Sequence, residues 1–332
     1  MRALVWQGPR RMAVQEAAEP EARPGWVLVR PGAAGVCGSE LEAYVGAMPN
    51  RVPPLVMGHE FAGEVVAVGS DVDPSWVGRQ VAVNPIIGCG GCAACRRDMP
   101  NVCAGRTLVG IQHPGGFAER VPVPVECLVE LPPGLDVRVG ALVEPMANGV
   151  RAAGLGLAMG PAERALVIGG GMIGLACLQG AVLSGIPDVA VVEPSEARRA
   201  LAGRLGAGRT FSSLAEAEAG ADLVLDAVGT SVTRRAALDL VRPAGTCVLV
   251  GLHEDESPVP FHLVVRKSVT MRGSYAYSRA EFTTALEWLA AGRAGVGELS
   301  AVLPLEDGPA VFDELASGPS ASVKVFLAKQ DA

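Results

Sequence analysis

Apolar positions in the first part of the chain come in short β-branched runs, among them Trp26 to Arg30, Glu64 to Val68 and Arg79 to Val83, separated by Gly, Pro and Asp. Such runs predict strands, and their density up to about residue 130 predicts an all-β domain with a barrel-like core. The pattern changes after Pro145. From Arg164 onward, apolar strand candidates (Ala165 to Ile168, Val189 to Val192, Leu223 to Asp226, Cys247 to Val250) alternate with Ala-, Leu- and Arg-rich helical stretches. Alternation of this kind predicts a parallel sheet with crossover helices, an α/β doubly wound domain. Past Arg272, a helix is expected over Arg279 to Ala291, closed by Gly292, and then two short apolar runs near Val302 and over Val323 to Leu327. Periodicity leaves open whether these last runs extend the second domain or return to the first.

One run could be mistaken for a membrane span, because no charged residue occurs from Ala165 to Pro187. Gly169, Gly170, Gly171 and Gly174 interrupt it, so a strand, a tight turn and a helix are expected instead. The N-terminal MRALVWQGPRR is broken by Gln7 and Gly8 before a signal-peptide core could form, so a cytoplasmic location is expected.

At 332 residues the chain exceeds the size at which one hydrophobic core stops growing, about 250 to 300 residues, so two domains are expected. A content of 49% hydrophobic and 19% charged residues supports large buried cores. The net charge of −7 and the scattered basic residues offer no footprint for a phosphate backbone, so nucleic acid is excluded as an expected partner.

Four of the eight cysteines fall in GCGGCAACRRDMPNVC, at Cys89, Cys92, Cys95 and Cys103, with the spacing C-x2-C-x2-C-x7-C. Four soft thiolates in one Gly-rich loop can close a tetrahedral shell around zinc, leaving no open position for chemistry. The reading is therefore a structural zinc; an iron-sulfur site is the alternative that the same ligands could support. Cys127, Cys177 and Cys247 have no partner motif and are read as small core residues.

Gly169-Gly170-Gly171-Met172-Ile173-Gly174 satisfies G-x-G-x-x-G between a strand candidate and a helical stretch, and a second strand follows that ends in Glu193, nineteen residues beyond Gly174. That context predicts dinucleotide binding. Gly169 permits the tight turn, Gly171 lets a pyrophosphate approach the helix N-terminus with Met172 and Ile173, and Gly174 lets helix and strand pack closely. The carboxylate of Glu193 favours the ribose hydroxyls of NAD over a 2′-phosphate, a preference that Arg198 and Arg199 soften.

Two further segments carry chemistry: GVCGSELEAYVG, with Cys37, Ser39, Glu40 and Glu42, and MGHEFAGEVVAVG, with His59 and Glu60. Alone, Cys37 reads as a buried thiol and His59 as a satisfied loop histidine. Together with Gly63 and Gly69, the four-cysteine lobe, Glu144-Pro145 and the glycine fingerprint, in this order, the whole chain resembles the zinc-dependent medium-chain alcohol and polyol dehydrogenases.

The resemblance implies that Cys37 and His59 bind a catalytic zinc, with Glu144 where the family places its distal third ligand and Glu60 either ligating or exchanging with water. It implies two zinc ions per chain, one catalytic and one structural, with NAD as cofactor and a small-molecule alcohol or polyol as substrate. A carboxylate at Glu144 points to the polyol and sugar branch, and Ser39 would accept the alcohol proton. The family commonly has Asp where Glu40 stands, supporting the zinc-bound histidine, and often has His, the last member of a proton relay, where Glu42 stands. A carboxylate with an unperturbed pKa of about 4.3 is a weaker base than histidine, so either Glu42 is tuned or the proton leaves through water.

By the same resemblance, residues 1–145 and 275–332 form a GroES-like catalytic domain with the zinc lobe at 88–104. A Rossmann NAD domain is inserted at 146–274, the active site lies in the cleft between the domains, and the assembly is a homodimer or homotetramer. Two rivals are an NADPH-dependent carbonyl reductase of the same fold and a catalytically silent, zinc-stabilised NAD-binding protein.

Overall fold

A computed structural model describes residues 1–297, 300–318, 320 and 322–328. The parts of the expected 275–332 segment at 298–299, 319, 321 and 329–332 lie outside the described residues. The chain divides into two compact units, one containing Met1–Glu144 and the other Pro145–Ala285 with Gly292–Gly297, while Leu286–Ala291 and the described residues from Ser300 onward belong to the first. The first break falls one residue before the expected one. The return to the first unit comes later than residue 275, for which packing gives a reason. Within the second unit Tyr277 and Phe282 are fully buried with ring centroids 5.6 Å apart, and Arg151 pairs with Glu281 at 3.2 Å. Gln179 also donates to Gly295 O at 3.0 Å and accepts from Gly295 N at 2.8 Å, tethering 292–297 to the helix Met172–Leu183.

The first unit is built on a seven-stranded sheet whose centre pairs Trp26–Gly35 antiparallel with Glu60–Val68. Both strands extend past the runs visible in the sequence, and both end at functional residues: Gly35 is two positions before Cys37, and Glu60 opens its strand opposite Gly35. The strands Ser300–Pro304 and Lys324–Ala328 join this sheet, with Phe326 opposite Gly35, so the last apolar runs return to the first unit. Alternation puts Val27, Val29, Phe61, Val65, Val81 and Val325 in one core with Leu4, Trp6, Tyr44, Phe117 and Phe312. A smaller sheet, Arg11–Glu16, Arg2–Gly8 and Leu55–Val56, was not separable in the sequence pattern.

The second unit is a six-stranded parallel sheet in the order Arg209–Phe211, Asp188–Val192, Arg164–Ile168, Ala221–Asp226, Val241–Leu249, Thr270–Gly273. Numbered within the unit this is 3-2-1-4-5-6, the doubly wound dinucleotide-binding order, whose switch point lies beside the first strand. Its central strands are buried except for one half-buried charged residue each, Arg164, Asp188 and Asp222, as a sheet covered on both faces requires. The charge-free run resolves into the strand Arg164–Ile168 and the helix Met172–Leu183. Among the described residues, no helix is long and apolar enough to cross a membrane.

Candidate metal and dinucleotide sites

Cys37 is the N-cap of the helix Gly38–Tyr44, which carries Ser39, Glu40 and Glu42. Glu40 is fully buried and its carboxylate is saturated. Oε1 accepts from Gly58 N at 2.8 Å and His59 N at 3.1 Å and lies 2.8 Å from His59 Nδ1, while Oε2 accepts from Cys37 N at 3.0 Å. One side chain therefore ties together the two loops that bear the candidate ligands. Burial opposes ionisation of Glu40, but His59, Arg51 and the Cys37 amide outweigh it and hold the carboxyl down at about 2. With Nδ1 engaged, Nε2 is the ring nitrogen left to ligate a metal, and Glu40 performs the support that the family commonly draws from Asp.

The ligand atoms of Cys37, His59 and Glu60 all lie within 4.8 Å of one another. Glu144, buried in the first turn of the helix Val143–Leu157, stands outside that set. The structure thus brings together three of the four residues considered for the catalytic metal, with Glu60 rather than Glu144 as the gathered carboxylate. Glu60 Oε2 pairs with Lys324, whose ammonium is buried and also donates to Val36 O at 3.0 Å; Glu60 Oε1 is buried with no hydrogen-bond partner. Burial works against the charge on Lys324, but Glu60, Cys37 and Glu40 outweigh it and raise its pKa. An orphaned buried carboxylate oxygen beside a thiol and an imidazole is the donor chemistry of a mixed S, N, O zinc site, so these residues fit the metal.

The second cluster fits as well. The four sulfurs of Cys89, Cys92, Cys95 and Cys103 all lie within 4.8 Å of one another, and tetrahedral Zn–S bonds of about 2.3 Å set sulfurs roughly 3.8 Å apart. Strands Ile86–Ile87 and Thr107–Leu108 pair antiparallel and close the base of this lobe. The amide of Cys95 donates to Cys92 Sγ at 3.5 Å and, with Cys95 and other neighbouring thiols, brings the Cys92 thiol down to about 6. None of the eight cysteines is disulfide-bonded. Cys127, Cys177 and Cys247 are buried; burial and Asp226 push Cys177 up to about 12, as suits an inert core thiol.

At the end of the strand Arg164–Ile168, Gly169 adopts φ +98°, which a side chain would strain. A Cβ on Gly174 would stand 1.9 Å from Gly169 O, whereas one on Gly171, the N-cap of the next helix, would meet nothing within 4 Å. Backbone that is closed on the helix side and open at the N-cap is what a pyrophosphate needs. Met172 and Ile173 form the first turn, and their amides point out of the helix end. Glu193 follows the neighbouring strand and is held rigidly, Oε2 accepting from Gly170 N at 2.7 Å and Oε1 from Ser195 N at 2.8 Å. Arg198 donates its backbone N–H to the Ser195 cap, and Arg199 Nη1 donates to the carbonyls of Glu193 and Pro194 at 2.8 and 2.6 Å.

Two residues in the first unit lie outside the expected set. Arg51 was legible only as a basic residue of unknown direction; it is buried and donates to Ser39 Oγ. Lys324 had a signal that went unused, a lone lysine within the apolar strand Lys324–Ala328. Glu42 is half-buried on the same helix as Ser39, three residues on, a spacing that sets neighbours on one face.

A six-stranded doubly wound unit with a glycine-cradled switch point, in one chain with a unit carrying one four-thiolate cluster and one mixed S, N, O cluster, defines a zinc-dependent dehydrogenase of the medium-chain type. Residues 23–133 match the family described as alcohol dehydrogenase GroES-like domain, and residues 172–291 match the one described as zinc-binding dehydrogenase. The chain is 30% identical to 2-dehydro-3-deoxy-L-galactonate 5-dehydrogenase of Pseudoalteromonas atlantica, over 96% of each chain. It is 33% identical to D-altritol 5-dehydrogenase of Agrobacterium fabrum, over 84% of this chain and 85% of that one. Galactitol-1-phosphate dehydrogenase from Escherichia coli superposes with a TM-score of 0.90 at 28% identity, covering 99% of this chain and 100% of that structure. The chain belongs to the zinc-dependent medium-chain alcohol and polyol dehydrogenase family, an oxidoreductase family using zinc and a nicotinamide dinucleotide.

Proposed function

We propose that this enzyme oxidises a secondary hydroxyl of a polyol, sugar, sugar acid or cyclitol with NAD, using Cys37, His59 and Glu60 to hold the catalytic zinc and the four-cysteine lobe to hold a structural one. The observation that carries this reading is the gathered set of Cys37, His59 and Glu60, with the orphaned Glu60 Oε1 and with His59 Nδ1 committed to Glu40. Three protein donors leave a fourth position for the substrate hydroxyl. Zinc held by these three residues would supply Lewis-acid polarisation of that hydroxyl, and a nicotinamide dinucleotide held at the glycine fingerprint would supply the hydride acceptor. Ser39, whose Oγ is 3.4 Å from Cys37 Sγ, accepts the hydroxyl proton, and Glu42 on the same helix face, or water, takes it onward. Lys324 neutralises Glu60, and Glu40 fixes the ring of His59. Glu144 stands outside the gathered donors, and the set is complete without it. The named relatives act on a deoxygalactonate, an altritol and a galactitol phosphate, all polyhydroxylated chains, which supports the substrate class.

The test is a panel of polyols, aldonates, cyclitols, aminocyclitols and sugar phosphates with NAD, followed by NADH absorbance. Oxidation of at least one of these in preference to simple monohydric alcohols supports the reading. Turnover of simple alcohols alone would refute the substrate class.

A further inference from the structure

Arg51 lies between the helix Gly38–Tyr44 and the strand Leu55–Val56, and only 3% of its surface is exposed. Its Nη2 donates to Ser39 Oγ at 2.9 Å and its Nη1 to Met57 Sδ at 3.6 Å, its backbone N–H donates to Met48 O at 3.3 Å, and its Nε has no partner. Glu40 feels this charge, but its own oxygens are committed to His59, Gly58 and Cys37. A buried guanidinium beside a carboxylate that is already spent, and whose best hydrogen bond goes to a neutral hydroxyl, is a costly feature to retain for packing alone.

Its chemistry restricts what Ser39 can do. A guanidinium donates only and does not lose its proton, so Ser39 Oγ must be the acceptor in the 2.9 Å contact. The Ser39 hydrogen must then point elsewhere, and in this structure it is directed to Cys37 Sγ at 3.4 Å. A hydroxyl oxygen has two lone pairs; one is occupied by Arg51, and the other is open to an incoming O–H. Without Arg51 the hydroxyl could rotate and donate to the substrate oxygen, the wrong polarity for removing a proton from it.

We propose that Arg51 is a positioning residue of the proton step, presetting Ser39 as an acceptor and driving the proton onward. This rests on the reading of Ser39 given under Proposed function. In the step, the Ser39 hydrogen turns from Cys37 Sγ and leaves to water or to the Glu42 carboxylate, while the substrate O–H breaks and a new O–H forms on Ser39 Oγ. The carbinol C–H pair departs as hydride to the nicotinamide and C=O forms. Arg51 neither gives nor takes a proton; its fixed charge disfavours a second proton on Oγ. Being buried, it acts through Ser39 and does not touch the substrate.

The experiment compares wild type with Arg51→Lys, Arg51→Gln and Arg51→Met as full-length, zinc-loaded enzymes, using an alcohol identified by the panel. Zinc content and melting temperature are measured for each. kcat/KM is then measured with ordinary and carbinol-deuterated substrate, in H2O and in D2O. Arg51→Met is expected to lower kcat/KM by about ten- to a hundredfold through kcat, the range for a lost acid–base function, at unchanged zinc content. Its solvent isotope effect should rise and its carbinol isotope effect shrink, because proton removal has become slower than hydride transfer. Arg51→Lys keeps the donor charge and should regain most of the rate; Arg51→Gln keeps a donor without charge and should fall between. If Arg51→Met does not fold, the Lys and Gln variants carry the same comparison. Rate loss with unchanged isotope effects, loss confined to KM, or a Lys variant as slow as the Gln variant would overturn the role. A wild-type chain that reduces NAD with no alcohol removes the underlying reading, whereas an active wild type with indifferent Arg51 variants removes only this inference.

Discussion

Replacing Glu40 by Gln perturbs the site while adding almost no volume. Oε1 receives three donors and Oε2 one, so an amide oxygen in the first position retains three hydrogen bonds in neutral form. The NH2 then faces Cys37 N, a donor against a donor. A buried donor left unsatisfied costs about 1 to 3 kcal/mol, and weakening the remaining charged bonds adds a similar amount. Linkage gives an independent figure: holding the carboxyl at about 2 instead of 4.5 corresponds to roughly 3 kcal/mol of stability. The folded pKa is depressed, so in metal-stripped protein this contribution is complete above pH 4.5 and is lost as pH falls towards 2. Glu40→Gln should therefore destabilise the metal-stripped first unit by roughly 3 kcal/mol, a fall of about 6 to 12 °C in melting temperature for a unit of this size. Bonded to a neutral amide oxygen instead of a carboxylate, His59 should also bind zinc about ten- to a hundredfold more weakly. Calorimetry of stripped protein and chelator competition on loaded protein check the two effects. A variant within about 0.5 kcal/mol of wild type and with equal zinc affinity would refute the reasoning, since that is the scatter expected of an ordinary surface change.

Three further outcomes are expected. Glu60→Ala should strip the catalytic zinc, whereas Glu144→Ala should retain it, as metal analysis of both would show. Lys324→Met leaves a buried carboxylate without its cation and should cost about 3 to 5 kcal/mol by urea denaturation, with Lys324→Arg milder. Glu193→Ser should narrow a preference for NAD over NADP in kcat/KM of at least about tenfold, roughly 1.4 kcal/mol, because the carboxylate held by Gly170 and Ser195 is then gone; equal use of both cofactors by wild type would refute the role.

What was legible in the sequence was what local spacing encodes. The cysteine lobe closes within fifteen residues, from Cys89 to Cys103, and the fingerprint from Gly169 to Gly174 needs only its own strand and helix, so spacing alone located both. The doubly wound sheet followed from alternating apolar runs, although Arg209–Phe211 and Thr270–Gly273 are too short to stand out. Contacts made at long range were not legible. Lys324 reaches Glu60 across 264 positions because its strand returns to pair with Trp26–Gly35, and periodicity could not decide that return. Arg51 and Glu40 lie only eleven residues apart, but side-chain direction, invisible in spacing, decides that one addresses Ser39 and the other His59. The family pattern offered both Glu144 and Glu60 as ligands; spacing did not show which of them gathers with Cys37 and His59, and the geometry gathers Glu60, which opens the strand Glu60–Val68 directly after His59.

The central claim is that one set of residues holds a reactive zinc and a separate set holds a structural one. It is tested most directly by zinc content and NADH production measured on the same preparations of wild type, Cys37→Ser and Cys92→Ser, each reconstituted with zinc and freed of excess. The account predicts two zinc ions per chain in wild type and one in Cys37→Ser, whose melting temperature changes little while turnover is abolished. For Cys92→Ser it predicts one zinc ion and a markedly lower melting temperature. Wild type with a single zinc, or Cys37→Ser with both ions and full turnover, would contradict it.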